Sequence, residues 1–447
     1  MKDLKRRDFI KTTAIAGAGM TVLPTAGFGK KKSSKKVAIG FIGVGGRGRS
    51  HLRNILLRDD VVVPAICDID PEAIKHSLAL IEKHGHKKPE VYSEGEFAWE
   101  KMLERDDIEG VIISTPWLWH TRMSVGAMKA GKYAGVEVSA ANTMEECWDL
   151  VNTYEETGTP VMILENVCYR RDVLAVLNMV RQNLFGELIH ARCGYQHDLR
   201  HVKFTGAEFG PGSHGEARWR TQHSLKRNGD VYPTHGLGPI ATMMDINRGN
   251  RFTSLTSVAT KARGLNAHIV KQGGKDHPNA NIKWRQGDVI TTTIETAMGE
   301  SIIVTHDCNL PRPYSLGFRV QGVQGITEFD YHTRRIHVEG QTKGHGWEDM
   351  KEYLKKYDHP LWKRWGEYAS GSGHGGMDFF VDHAFVESIK RKVNPPLDAY
   401  DAAAWSAVTP LSEASIENNG APQEFPDFTR GRWVTNQPIF AVNGDEY

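Results

Sequence analysis

Six residues, Gly43-Val44-Gly45-Gly46-Arg47-Gly48, constrain the fold of this 447-residue chain more than any other feature. They follow an apolar run at 37–42 and open a helical pattern at 50–57. In that setting the first glycine permits a tight turn and the second lets a pyrophosphate approach the backbone. The third lets helix and strand pack closely. A second apolar run at 61–67 ends on Asp68, twenty residues after Gly48, where a carboxylate can bind adenosine ribose hydroxyls. Strand, helix, second strand and acid stand in register, which predicts dinucleotide binding. The acid favours NAD over NADP. Gly43, Gly45, Gly46, Arg47, Gly48 and Asp68 are the expected cofactor contacts.

The alternation continues beyond the loop. A helix with proline in its first turn is predicted at 71–84, a strand at 110–114 and a helix at 123–130. Strands at 133–136 and 161–164 flank a helix opened by Asn142-Thr143 with Glu145-Glu146 behind it. Alternation of this kind builds a parallel sheet with helices on both faces. After Asn166 the pattern changes. An amphipathic helix at 172–183 leads into strand-like runs at 188–195, 252–259, 289–297, 301–307, 318–321 and 326–330. Helices are predicted at 378–391 and 402–417, and long loops at 196–232 and 262–286. The fold class is therefore α/β. A Rossmann domain at 35–165 is followed by an α+β domain at 166–447 with an open, mostly antiparallel sheet.

Residues 1–34 read as a targeting segment and linker. Lys5-Arg6-Arg7-Asp8-Phe9-Ile10-Lys11 is a twin-arginine pattern, and the weakly apolar stretch behind it is too short to span a bilayer. The expected partner is the twin-arginine export machinery, and the expected location is the periplasm or the cell exterior. Export of a folded protein implies a cofactor that is held tightly and regenerated in each turnover. The net charge of +2, part of it in Lys30-Lys31-Lys32, gives no reason to expect nucleic acid or a membrane surface as a partner. Five scattered cysteines contain no CxxC pair and read as small buried residues. Histidines at 197, 214, 223, 235 and 306 match no ligand spacing, so no metal is expected. Composition leaves a homo-oligomer open.

Strand ends in such a sheet carry the ligand-facing residues. Thr115-Pro116-Trp117-Leu118-Trp119-His120, Glu137-Val138 and Glu165-Asn166 occupy those ends. They add Trp117, His120, Glu137, Val138 and Asn166 to the cofactor set. Trp117 and Trp119 read equally as core aromatics. Tyr195 and His197 alternate on one strand face, and His235 sits in a Pro-Thr-His-Gly turn before a helix.

With these residues in place, the chain resembles the glucose–fructose oxidoreductase and inositol dehydrogenase superfamily. More specifically, it resembles the NAD-dependent N-acetylgalactosaminidases of glycoside hydrolase family 109. The likeness is carried by Glu165-Asn166-Val167-Cys168-Tyr169-Arg170-Arg171-Asp172, Gly194-Tyr195-Gln196-His197-Asp198-Leu199-Arg200 and Tyr232-Pro233-Thr234-His235-Gly236. It extends through residues 243–251, Arg312-Pro313-Tyr314 and Gly373-His374-Gly375-Gly376-Met377-Asp378. Ordinary dehydrogenases of the superfamily commonly carry Glu-Lys-Pro where this chain has Glu137-Val138-Ser139. The missing lysine normally assists proton removal from the alcohol, and its loss implies redirected chemistry.

The resemblance implies hydrolysis of terminal N-acetylgalactosaminides without net consumption of NAD. Oxidation of sugar C3 to a ketone acidifies the C2 hydrogen, whose removal expels the C1 substituent. Water then adds at C1, C2 is reprotonated and C3 is reduced. The resemblance marks His235, Tyr195 and Glu165 as catalytic candidates, with the division of C2 and C3 duties between Tyr195 and His235 left open. Tyr195, Arg220, Tyr232, Pro233, Thr234, His235 and Tyr314 are the expected sugar contacts, Arg220 reading equally as a surface arginine. The alternative is a net NAD-dependent sugar or cyclitol dehydrogenase. A non-catalytic sugar-binding relative is a third reading.

Overall fold

The computed structural model describes residues 36–443 and Tyr447, so the twin-arginine and linker readings lie outside the described residues. Strands β1 (Val37–Ile42), β2 (Val61–Val62), β3 (Ala65–Cys67), β4 (Glu90–Tyr92), β5 (Gly110–Ile113), β6 (Tyr133–Val136) and β7 (Val161–Ile163) come first. They form one parallel sheet in the order β4-β3-β1-β5-β6-β7, with β2 also paired to β1. All six residues of β1 are buried, as a strand covered on both faces requires. The continuous strand expected at 61–67 is instead two pieces. Pro64, which has no N–H for the ladder, separates them. The first helix begins directly on the glycine loop, at Gly46–Ile55.

The second sheet follows the order β15-β14-β13-β12-β8-β11-β10-β9-β16. Its members are β8 (Leu188–Gln196), β9 (Phe252–Ala259), β10 (Val289–Thr296), β11 (Ser301–Asp307), β12 (Phe318–Gly322), β13 (Gly325–Phe329), β14 (Arg334–Val338), β15 (Glu348–Asp349) and β16 (Gln423–Glu424). Every pairing is antiparallel except that of β8 with β11. In β10, Ile290, Thr292, Ile294 and Thr296 are buried while Thr291, Thr293 and Glu295 are exposed, so one sheet face packs and the other does not. The packed face takes the helix Thr234–Met243 on β8 and the helix Val408–Glu417 on β9.

Two further expectations need correction. The stretches read as long loops carry helices at Arg200–Lys203, Thr221–Lys226 and Gly264–Gly273. These fold around a small core of their own, built from Phe204, Leu265, Ile269 and Trp284. The single helix read at 402–417 is two, Ala399–Ser406 and Val408–Glu417. Pro410, near the start of the second, cannot donate to the last carbonyls of the first.

One continuous apolar core joins the two sheets. The helix Met377–Arg391 packs on β1 and on the glycine-loop helix, although it belongs to the far end of the chain. Its Phe385 ring lies where a Cβ on Gly135 would stand 3.1 Å from it, so glycine in β6 makes room for the ring.

Candidate active site

At the glycine loop, Gly43 has φ +83°, and a Cβ there would meet the Ser114 carbonyl at 2.8 Å. A Cβ on Gly48 would stand 2.0 Å from the Gly43 oxygen. Both positions are closed to any side chain by packing. Gly45 and Gly46 differ, because nothing lies within 4 Å of a Cβ built on either. These two leave an open cradle at a helix N-terminus, the geometry that receives a phosphate. Asp68 is half-buried, its Oδ2 accepting from the Val44 amide (2.7 Å) and its Oδ1 from the Asp70 amide (2.9 Å). Asn166 donates through Nδ2 to Asp378 (2.7 Å), while its buried Oδ1 has no hydrogen-bond partner among the described residues. An open cradle, a ribose-ready acid and an orphaned amide oxygen together fit a dinucleotide.

Arg47 and Glu137 are spent on one another. Arg47 Nε meets Glu137 at 2.6 Å and its Nη1 meets Asp378 at 2.7 Å. His51 closes the network, 2.7 Å from Glu137 and 2.6 Å from Asp382. Burial would lift the Glu137 carboxyl, but Arg47 and His51 outweigh it and hold it well below the usual range. This arrangement gives both residues a bracing part at the loop. Val138 is buried beside them. His120 is 1% exposed, with Nδ1 2.8 Å from the Ser139 carbonyl and Nε2 2.7 Å from that of Thr115. It ties two strand-end loops together.

The residues expected to contact substrate converge where the helix Thr234–Met243 crosses the end of β8. A Cβ on Gly236 would come within 2.4 Å of the Gly194 nitrogen, so the two backbones touch. That contact sets His235 beside Tyr195, with ring centroids 5.3 Å apart. Tyr232 lies 4.9 Å from His235 and 4.6 Å from Tyr195, and Tyr314 lies 6.1 Å from Tyr195. Behind His235 stands Glu165, fully buried, its two oxygens 2.8 and 2.9 Å from Nδ1. A carboxylate only accepts, so Nδ1 carries a proton, and in the neutral ring Nε2 is the nitrogen with the lone pair.

Tyr195 is 7% exposed, and its hydroxyl meets His197 Nδ1 at 3.0 Å. Burial raises the phenol well above its ordinary value, despite the opposing charge of Arg220. His197 is shifted down, first by burial and then by Arg220. The pair is therefore a protonated phenol backed by a neutral imidazole. Arg220 is buried, ion-paired with Glu216, and lies 4.8 Å over Trp117 and 4.9 Å over Tyr232. Trp117 and Tyr232 stack at 5.4 Å. Trp117 is thus part of the wall of the Tyr195–His235 cluster and is packed with it. Pro233 caps the site helix, and Thr234 is fully buried with its hydroxyl unpartnered among the described residues.

Sequence reasoning left His197, Asp378, Asp382 and His51 out of the site. His197 carried a local signal, standing two residues from Tyr195 on the same strand face. The other three act across more than 300 residues of chain, as the 331-residue separation of His51 from Asp382 shows, and no local pattern reveals that.

A family model described as "Oxidoreductase family, NAD-binding Rossmann fold" matches residues 37–164, and one described as "Glycosyl hydrolase 109, C-terminal domain" matches residues 169–435. An alpha-N-acetylgalactosaminidase of Tannerella forsythia is 50% identical over 98% of this chain and 99% of its own length. A glycosyl hydrolase family 109 protein of Stenotrophomonas maltophilia (strain K279a) is 49% identical, with 99% of each chain covered. Among solved structures, a levoglucosan dehydrogenase in complex with NADH and L-sorbose superposes with a TM-score of 0.67 at 18% identity. That likeness covers 88% of this chain and all of the other, and it shows the fold.

Proposed function

The chain belongs to glycosyl hydrolase family 109, and from that premise we propose that it cleaves terminal α-linked N-acetylgalactosaminides with NAD as a resident hydride carrier. Gly43, Gly45, Gly46 and Gly48 would hold the pyrophosphate, Asp68 the adenosine ribose, and Asn166 a polar group near the strand end. Bound NAD would supply a reversible hydride acceptor for sugar C3, which would stand as a ketone only between oxidation and return of the hydride. A ketone at C3 delocalises the charge left when the C2 proton is removed, and that electron pair expels the C1 substituent.

His235 is the base of the site. Glu165 fixes the proton of the neutral ring on Nδ1, which leaves Nε2 to take a proton from the ring carbon or hydroxyl it faces. Tyr195 is the proton holder, donating to a developing sugar oxygen and recovering its proton through His197. Tyr232 and Tyr314 flank the ring, and Arg220 offers a buried cation to a hydroxyl or acetamido oxygen. The observation that carries this reading is the carboxylate-backed histidine beside a protonated tyrosine, on a chain with an open dinucleotide cradle and no lysine after Glu137.

The test is turnover of α-linked N-acetylgalactosaminide chromogens in deuterated water. Elimination and readdition place deuterium at C2 of the released sugar, with no growth in reduced-nicotinamide absorbance. Product without deuterium at C2 rules the route out, and NADH that accumulates with turnover identifies a net dehydrogenase. Tight retention of NAD and export through the twin-arginine route belong to the same proposal. Replacing Arg6 and Arg7 by lysine should strand folded, NAD-loaded protein in the cytoplasm of a bacterial host.

A further inference from the structure

The segment Gly373-His374-Gly375-Gly376-Met377-Asp378 has no part in the proposed chemistry, yet a buried junction is built around its last residue. Asp378 lies in the first turn of the helix Met377–Arg391 and is fully buried. Its Oδ2 accepts from Arg47 Nη1 (2.7 Å), Ser50 Oγ (3.2 Å) and His374 Nδ1 (2.9 Å). Its Oδ1 accepts from Asn166 Nδ2 (2.7 Å). A Cβ on Gly373 would collide with Oδ2, so glycine there makes room for the carboxylate. Burial would lift the Asp378 carboxyl, but Arg47 and His374 outweigh it and hold it well below the usual range. Asp378 is therefore an anion that can only accept.

An asparagine amide can turn over and exchange its oxygen and nitrogen. Against a carboxylate 2.7 Å away, only the NH₂ end of Asn166 can face Asp378. The Asn166 oxygen is thereby turned from Asp378, and it is buried with no partner among the described residues. A buried acceptor without a donor is costly. Asn166 directly follows Glu165, the carboxylate behind His235, and so stands at the reacting end of the site. On the proposed reaction, the nicotinamide half of the cofactor meets the sugar at that end. On that half, phosphate and the carboxamide oxygen only accept, and a ribose hydroxyl can donate or accept. The carboxamide NH₂ must donate, and only for such a group does a fixed acceptor matter.

We propose that Asp378 is a positioning residue for the cofactor, turning the Asn166 oxygen toward the nicotinamide carboxamide NH₂, which donates to it. The proposal rests on the reading of NAD as the resident hydride carrier. Asp378→Asn keeps the shape and inverts the amide. Three donors meet at Oδ2, so the new amide oxygen stays with them and the new NH₂ faces Asn166. Asn166 then turns its own oxygen inward and presents NH₂ to the cofactor.

NAD-stripped protein is titrated with NAD and with 3-acetylpyridine adenine dinucleotide, whose methyl ketone lacks the N–H. Wild type should prefer NAD by about 5- to 150-fold, the worth of a buried acceptor left unpaired. In Asp378→Asn and in Asn166→Ala the preference should shrink to within a few-fold. A merely structural loss, including that of the Arg47 contact, would weaken both ligands alike and leave the preference intact. Equal binding by wild type, or an undiminished preference in Asp378→Asn, overturns the proposal while NAD remains the carrier. Wild type that binds neither ligand overturns the carrier reading as well. If Asp378→Asn does not fold, a crystal structure of the NAD-loaded, unaltered protein decides. Asn166 must keep its bond to Asp378 with its oxygen on the carboxamide nitrogen, and any other group at that oxygen overturns the proposal.

Discussion

A hydrogen-bond count around Glu165 makes the tautomer of His235 a testable quantity. Glu165 Oε1 accepts from the Val167 amide (3.0 Å) as well as from His235, while Oε2 faces His235 alone (2.9 Å). In Glu165→Gln the amide oxygen stays with the Val167 N–H, which leaves the NH₂ group facing Nδ1. Nδ1 then faces a donor as well as Oε1, which favours the tautomer with the proton on Nε2 and removes the lone pair proposed as base. We expect kcat to fall by about 10²- to 10⁴-fold, the usual worth of a positioned base. Bound NAD and Tm should stay near wild type. A kcat within a few-fold of wild type would remove His235 from the role of base. The glycine loop offers a second contrast at this scale. Gly45→Val places a side chain in open space, so the protein should fold with the Tm of NAD-stripped wild type. Its NAD content after purification should drop on the order of tenfold or more, because the side chain fills the phosphate cradle. Gly48→Ala meets the Gly43 oxygen and should fail to fold. Equal NAD content in Gly45→Val and wild type would move the cradle elsewhere.

At the scale of elements, the site is made by one crossing. The helix Thr234–Met243 touches β8 backbone to backbone at Gly236 and Gly194, and the rings of His235 and Tyr195 meet because of it. Gly236→Ala must push the helix away, which overpacking data put at about 1–3 kcal/mol of stability. Separating the two rings should lower kcat by more than it raises KM, measured on the fraction that folds. A raised KM with kcat unchanged would count against this account. The sequence carried the parts of this arrangement but not their junction. Tyr195 at a strand end and His235 before a helix were legible because periodicity and turn chemistry are local. Their contact depends on two glycines 42 residues apart approaching face to face, and each reads alone as an ordinary turn or strand residue. The helices at Thr221–Lys226 and Gly264–Gly273 were hidden for a related reason. The first is too short for a period to show, and both are held by a satellite core drawn from 204–284. Arg220, equally a surface or a site arginine by sequence, is fixed as a wall residue only by the rings of Trp117 and Tyr232 beneath it.

The whole molecule is held at the glycine loop by charges from both ends of the chain, and this gives its stability a pH signature. His51 is fully buried between Glu137, from the first sheet, and Asp382, from the helix Met377–Arg391. Burial and Arg47 oppose its charging, but Asp382 and Glu137 prevail and raise it to about 9. Burial also lifts the Asp382 carboxyl, so the firm anion of the trio is Glu137, held well below the usual range. A histidine with a folded pKa above its unfolded value contributes stability fully below the unfolded value, about 6.5. That contribution declines as pH rises and is gone once pH passes about 9. The shift corresponds to about 3 kcal/mol at most, which His51→Gln should remove because the amide keeps the contacts without the charge. Unfolding free energies of wild type and variant should therefore differ most near pH 6 and converge near pH 9.5. A difference independent of pH would mean that His51 is buried neutral, and that shape and not charge fastens the helix Met377–Arg391 to the glycine loop.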